Sequence, residues 1–177
     1  TETRNGGTLH TWKEISTREL SAEGFTNYDG IVLVNVSRLS EGVVARLVNF
    51  LASGGGVIVF PGSETDLRHY NETLFASTNT GTWGGTIGSL DATENFVKLG
   101  PIDFSHPVFS NVFEQSDKEM RIESPMFRFA VQFNPAPGTK SILNYTNGHA
   151  FLVERQVQSG KILVFTSAPN ERWSDFS

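Results

Sequence analysis

The sequence predicts an α/β protein in which a mainly parallel sheet is layered with helices and followed by an antiparallel β extension in the C-terminal half. Three observations carry this expectation. Ile31–Val36 (IVLVNV) and Val57–Phe60 (VIVF) are short, continuously apolar runs, the pattern of strands buried on both faces. Between them Val43, Val44, Leu47, Val48 and Leu51 recur at helical spacing. Strand, helix and strand in this order make a right-handed crossover whose two strands run parallel. Further on, Phe127–Phe133 (FRFAVQF) and Lys140–Tyr145 alternate apolar and polar, as antiparallel strands with one wet face do.

Each element has its own signal. Thr1–Thr8 is polar and Gly-rich, with no hydrophobic run to start a core. His10–Ile15 reads as a short strand, and Ser16-Thr-Arg-Glu19 matches a capping box opening a helical turn to about Ala22. Ser40 offers the N-cap of the main helix, Leu39 and Val44 its hydrophobic staple, and Gly54-Gly55-Gly56 its end. Ser63 is placed to cap a helix carrying Leu67, Tyr70 and Leu74 on one face. Residues 76–94, rich in Gly, Thr and Ser, read as an irregular excursion. Asn147-Gly148 and Ser159-Gly160 are hairpin signals between Ile142–Tyr145, Ala150–Val157 and Lys161–Thr166. Ile162–Phe165 is again continuously apolar and belongs in the buried sheet. The last residues, Trp173–Ser177, follow a turn without a terminal helix. One domain over residues 1–177, cut from a longer protein, is the expectation.

Composition removes several activities. With 38% hydrophobic and 19% charged residues, 177 residues suffice for a core. The net charge is −5 and the 14 Lys and Arg are scattered, which argues against a nucleic-acid partner. No apolar run reaches the ~18 residues of a membrane span. The absence of cysteine excludes a thiol nucleophile, disulfides and cysteine-ligated metal.

Three polar turns each follow a predicted central strand: Asn35-Val-Ser37-Arg38, Pro61-Gly62-Ser63-Glu64 and Ala168-Pro-Asn170-Glu171-Arg172-Trp173. Ligands of open α/β sheets bind outside the carboxyl ends of the strands, so these turns form the candidate crevice. The competing reading is that they only cap helices and meet water. A helix starting at Ser63 would aim backbone N–H groups into the crevice and favour a small anion, with Arg172 assisting and Glu64 opposing. Pro61-Gly62-Ser63 lacks the Gly-x-Ser-x-Gly elbow, and His10, His69, His106 and His149 have no diagnostic spacing to Ser63. His69 is expected to point away from the crevice. Gly81–Gly88 lacks the phosphate-loop pattern and reads as a loop, and Asp103 with His106 is too few ligands for a metal. Trp83 and Trp173 are the aromatics placed to face a partner or sugar.

Taken in order, Tyr28–Val36, Leu39-Ser40, Phe50–Val57, Phe60-Pro-Gly62, Ser105–Phe109, Gly160–Ser167 and Glu171–Phe176 resemble the class I glutamine amidotransferase-like domain. The resemblance is narrowest to the version in bacterial aerotolerance-operon (Bat-type) membrane proteins and covers roughly residues 12–176. It implies a flavodoxin-like three-layer fold and a membrane-anchored parent with this domain on the extracytoplasmic, periplasmic side. Membrane contact would come only through flanking segments absent from this sequence. The family's elbow cysteine falls in the Phe60–Ser63 neighbourhood, where there is none. Its His-x-Glu motif falls at Ser167–Glu171, where Glu171 has no accompanying histidine. Glutaminase chemistry needs the thiolate and imidazole, so no catalytic residue, cofactor or metal is expected. The expected function is a non-catalytic interaction or assembly module whose partners are proteins or other domains of the parent. The alternative is a hydrolase or small-ligand domain using the crevice.

Overall fold

The computed structural model describes residues 2–5, 8–88, 97–109 and 125–175. Thr1, the Gly6-Gly7 pair, residues 89–94 of the expected excursion, and Phe176-Ser177 of the last motif lie outside them. Near the amino end, β1 (Glu2–Asn5) and β2 (Thr8–Thr11) form an antiparallel hairpin. The strand foreseen at His10–Ile15 is therefore earlier, and the polar Thr1–Thr8 stretch supplies its partner. The Ser16 capping box with Glu19 opens α1 (Thr17–Leu20) as expected.

The crossover unit is also as expected. In β3 (Gly30–Val34), α2 (Glu41–Ala52) and β4 (Gly56–Phe60), the two strands pair in parallel, Ile31 against Val57 and Leu33 against Val59. Ser40 Oγ accepts the Val43 N–H at 3.4 Å, one of the donors a helix start leaves open. Val43, Val44, Leu47, Phe50 and Leu51 are buried, and Gly54 takes the positive φ of 100° at the helix end, which a side chain would disfavour.

α3 (Leu67–Tyr70) continues through a π turn (Asn71–Phe75) into α4 (Ala76–Thr78). There follow β5 (Gly81–Gly88), β6 (Val97–Lys98), β7 (Met126–Phe127), β8 (Phe129–Pro135), β9 (Lys140–Asn144), β10 (Ala150–Val157) and β11 (Gly160–Phe165). The central sheet has the order β3-β4-β11-β10-β9: three parallel strands, then two antiparallel ones. β5 pairs antiparallel with β8, and β6 with β7, so the C-terminal half does carry the antiparallel extension.

Three further expectations need correction. Gly81–Gly88 is a strand, because Thr82, Trp83, Thr86 and Ile87 favour extended backbone and Gly84-Gly85 coincide with a shift in register. The Asn71 side chain holds it by accepting the Trp83 N–H at 2.8 Å and donating to the Trp83 carbonyl at 2.7 Å. The second hairpin turns at Gln158-Ser159, with Gln158 at φ 53°, while Gly160 already pairs with Val157. Gly160 is needed for space, since a β-carbon there would run into the backbone of Leu51 and Gly55. The third correction concerns the sheet itself. Leu33, Val57, Val59, Ile162 and Val164 are buried on the face that α2 covers. On the other face Val32 is 55% and Val34 51% exposed, so Ile31–Val36 is not buried on both sides. Ile58, Phe60, Leu163 and Phe165 are half-buried there, with Phe60 stacked on Phe165 at 4.2 Å. Pro107 and Val108 wall one groove of about 260 Å³ on this face. No helix among the described residues is long and apolar enough to cross a membrane.

Candidate functional site

Because β3, β4 and β11 are parallel neighbours, the turns after them lie at one edge of the sheet. The turns after β3 and β4 are bonded to each other. Asn35, exposed and in the left-handed region at φ 51°, donates its N–H to the Phe60 carbonyl at 3.1 Å. Its Oδ1 accepts the Glu64 N–H at 2.9 Å. Gly62 is buried beneath it, and a β-carbon at that position would collide with the Asn35 amide. Ser37 contributes its carbonyl, which accepts the Asp66 N–H at 3.0 Å. Arg38 then places Nη2 at 2.6 Å and Nε at 2.9 Å from one Asp66 oxygen.

The helix does not begin at Ser63. Asp66 is the N-cap, its Oδ1 accepting the His69 N–H at 3.0 Å, and residues 62–65 form a turn closed by Thr65 N–H on the Gly62 carbonyl at 3.1 Å. The physical reason is competition between caps. Asp66 sits directly before the apolar Leu67 and also gains the Arg38 cation, whereas Ser63 has neither. That backbone bond to His69, and secondarily Arg38, holds the Asp66 carboxyl below the usual carboxylate range. His69 Nε2 reaches the Leu39 carbonyl at 2.8 Å, so the ring turns onto the β3–α2 loop and braces it.

This arrangement takes several of the backbone donors of the expected anion cradle. Gly62 N–H is taken by Thr65 Oγ1 at 3.0 Å, Glu64 N–H by Asn35 and Asp66 N–H by Ser37. Ser63 and Glu64 are exposed, and among the described residues no hydrogen bond reaches Ser63 Oγ. A serine nucleophile needs a base within about 2.6–3.2 Å, and among the described residues none stands there.

The third turn is organised separately. Asn170 Oδ1 accepts the N–H groups of Arg172 at 3.1 Å and Trp173 at 3.3 Å, and Asn170 and Arg172 are exposed. Exposed Glu171 offers its carbonyl to Arg128 Nη1 at 3.0 Å. Trp173 is buried, 4% exposed, with its ring edge-on to Phe129 at 4.3 Å. No hydrogen bond joins this turn to the other two among the described residues. Just before it, Thr166 Oγ1 donates to the Ala150 carbonyl at 2.9 Å and Ser167 Oγ to the Phe129 carbonyl at 2.9 Å. Thr166 and Ser167 thus hold neighbouring strands together.

Both tryptophans foreseen as partner-facing are interior: Trp83, 3% exposed, packs against Tyr70 and Phe75. Asp103 accepts the N–H (3.0 Å) and hydroxyl (2.6 Å) of Ser105, while His106 Nδ1 accepts the Val108 N–H at 3.2 Å. These are turn-forming bonds. No cluster of three or more potential metal ligands occurs among the described residues.

A hollow of about 540 Å³ opens instead at the amino ends of β3 and β4, beside Phe25, Tyr28, Asp29, Arg46, Asn49 and Phe50. Arg46 is fixed there by Nη2 bonds of 3.0 Å to the carbonyls of both Leu20 and Ser21, with its guanidinium 5.4 Å from the Phe25 ring centre. Sequence reasoning missed Arg46, Thr65 and Asp66. The signal for Asp66 was present, an Asp immediately ahead of the helical period.

No family model matches the chain, and no curated protein matches it in sequence. Solved structures do share the fold. Two cytoplasmic proteins of Salmonella typhimurium superpose with TM-scores of 0.61 and 0.60, each at 16% identity, over 86% and 92% of this chain and 65% and 67% of theirs. A β-galactosidase from Rahnella sp. R3 superposes at 0.61 with 13% identity, over 86% of this chain and 22% of the enzyme. At such identities the likeness shows the fold alone. The chain spans about two thirds of the Salmonella proteins and about a fifth of the galactosidase.

Proposed function

We propose that this chain is a non-catalytic, amidotransferase-like module that serves protein interaction or assembly. The carrying observation is the bonding at the carboxyl edge of the sheet, where Thr65, Asn35, Ser37 and Asp66 take the N–H groups of Gly62, Glu64, Asp66 and His69, donors that a substrate anion could otherwise use. Two further features support it: the half-open apolar face around Val32 and Val34, and a fold that accounts for only about a fifth of a longer galactosidase chain. Apolar surface rimmed by polar residues is where proteins dock. The flavodoxin-like three-layer arrangement, the Bat-type relationship and a membrane-anchored, periplasmic parent belong to this proposal and rest on the motifs from Tyr28 to Phe176.

The test is direct. Purified protein incubated with glutamine is expected to release no ammonia above a heat-denatured control, and a fluorophosphonate probe is expected to leave Ser63 unlabelled. Ammonia release, or labelling lost in Ser63→Ala, would instead establish the alternative of a hydrolase or small-ligand domain at this crevice.

A further inference from the structure

Strand β3 is the edge of the central sheet, and among the described residues no strand pairs with its outer side. The direction of its backbone groups follows from two hydrogen bonds. Asp29 accepts the Gly56 N–H at 3.0 Å, and Asn35 donates to Phe60 at 3.1 Å. Backbone groups alternate sides along a strand, so residues 29, 31, 33 and 35 address β4, and Gly30, Val32 and Val34 aim theirs outward.

Exposed edges are normally blunted by proline, lysine, a bulge or a cover, since an open ladder invites pairing. Gly30–Val34 contains no proline and no charge, and its register with β4 is unbroken from Gly30–Gly56 to Val34–Phe60. Val32 and Val34 beside this ladder are more than half exposed.

We propose that β3 is a self-pairing edge, joining two copies of this chain antiparallel about a twofold axis through Val32. This register satisfies every outward group, because Val32 meets its own copy and Gly30 meets Val34 as hydrogen-bonded pairs. The ends are complementary as well. Asp29 of one copy lies opposite Asn35 of the other. Asn35 Oδ1 is occupied by Glu64, which leaves its NH2 group as donor to that carboxylate. No like charges meet within the strand. The two apolar faces become continuous across the axis. Strand pairing with two valines per copy falls well below the roughly 1,600 Å² of a standard interface, so the dimer is concentration-dependent.

The inference names a partner for the assembly reading and rests on it only there, since the glutamine assay and the mass measurement fail independently. Sedimentation velocity from micromolar to near-millimolar protein is expected to show a shift from one chain to two. Val32→Lys places like charges opposite each other on the axis and is expected to remain one chain throughout. Val32→Cys supplies the sole thiol, sited to meet its own copy. It is expected to form a disulfide dimer about tenfold faster than the exposed control Ser159→Cys. A wild-type chain monomeric at every concentration, with Val32→Cys no faster than the control, would overturn the proposal. So would a dimer that Val32→Lys leaves intact.

Discussion

The two faces of the central sheet are built from the same residue types, and at the β3 edge they meet opposite fates. Val57, Val59, Ile162 and Val164 are at most 1% exposed under α2, whereas Val32 and Val34, from the same kind of β-branched run, are more than half exposed. Side-chain chemistry therefore does not decide which face is interior. What decides it is the helix that the Ser40 cap and the Val43–Leu51 period lay across one side. Burial of each valine or leucine is worth about 1.5–3 kcal/mol, so most of the sheet's stability sits on the α2 side.

The largest expected difference between the faces comes from paired truncations. Leu47→Ala, in α2 and fully buried, is expected to lower unfolding free energy by about 2–5 kcal/mol, while Val32→Ala in dilute solution changes it by less than about 0.5 kcal/mol. Denaturant unfolding checks both, and similar losses at the two sites would break the comparison. Next comes Gly160→Ala. Its new β-carbon meets the backbone of Leu51 and Gly55 on the covered side, and overpacking of this kind costs about 1–3 kcal/mol. A neutral Gly160→Ala would mean that α2 can shift away from β11.

The smallest effect is electrostatic and lies at the carboxyl edge. The Asp66 carboxyl is held low by the His69 N–H and then by Arg38. A depressed folded-state value adds stability above the unfolded value of about 3.9 and loses it as pH falls through the folded value. Asp66→Asn keeps a capping side chain but removes the charge. Its thermal midpoint is expected to lie below wild type at neutral pH, and the gap to close as pH drops below about 4. A gap unchanged at low pH would show that the ion pair and the charged cap contribute nothing.

Local signals made much of the fold legible. The Ser16 box, the Ser40 cap, the α2 period and the parallel pairing of Ile31–Val34 with Val57–Phe60 are each fixed by residues close in sequence. Errors arose where a distant residue decides. Gly81–Gly88 looked like a loop because its glycines weaken a strand. The Asn71 side chain and the β8 ladder, both remote in sequence, hold it extended. Ser63 looked like a cap because Arg38, which favours Asp66, comes from the preceding loop. At the candidate crevice the grouping of Asn35, Ser37, Gly62, Ser63 and Glu64 was readable from strand order. That Asn35 and Ser37 spend their acceptors on Glu64 and Asp66 was not, because backbone hydrogen bonds between loops leave no mark in composition. Trp173 shows the same limit, since its cover, Phe129, belongs to another strand.

The central claim, that the α2 side of the sheet is sealed while the other side lies open at β3, is tested most directly by single thiols in this cysteine-free chain. Val59→Cys and Val32→Cys would each be labelled with an excess of a small maleimide in dilute native protein, against the same variants unfolded. The account predicts that Val32→Cys reacts at close to its unfolded rate, while Val59→Cys is slowed by orders of magnitude and reacts only through unfolding. Equal protection at the two positions would contradict it.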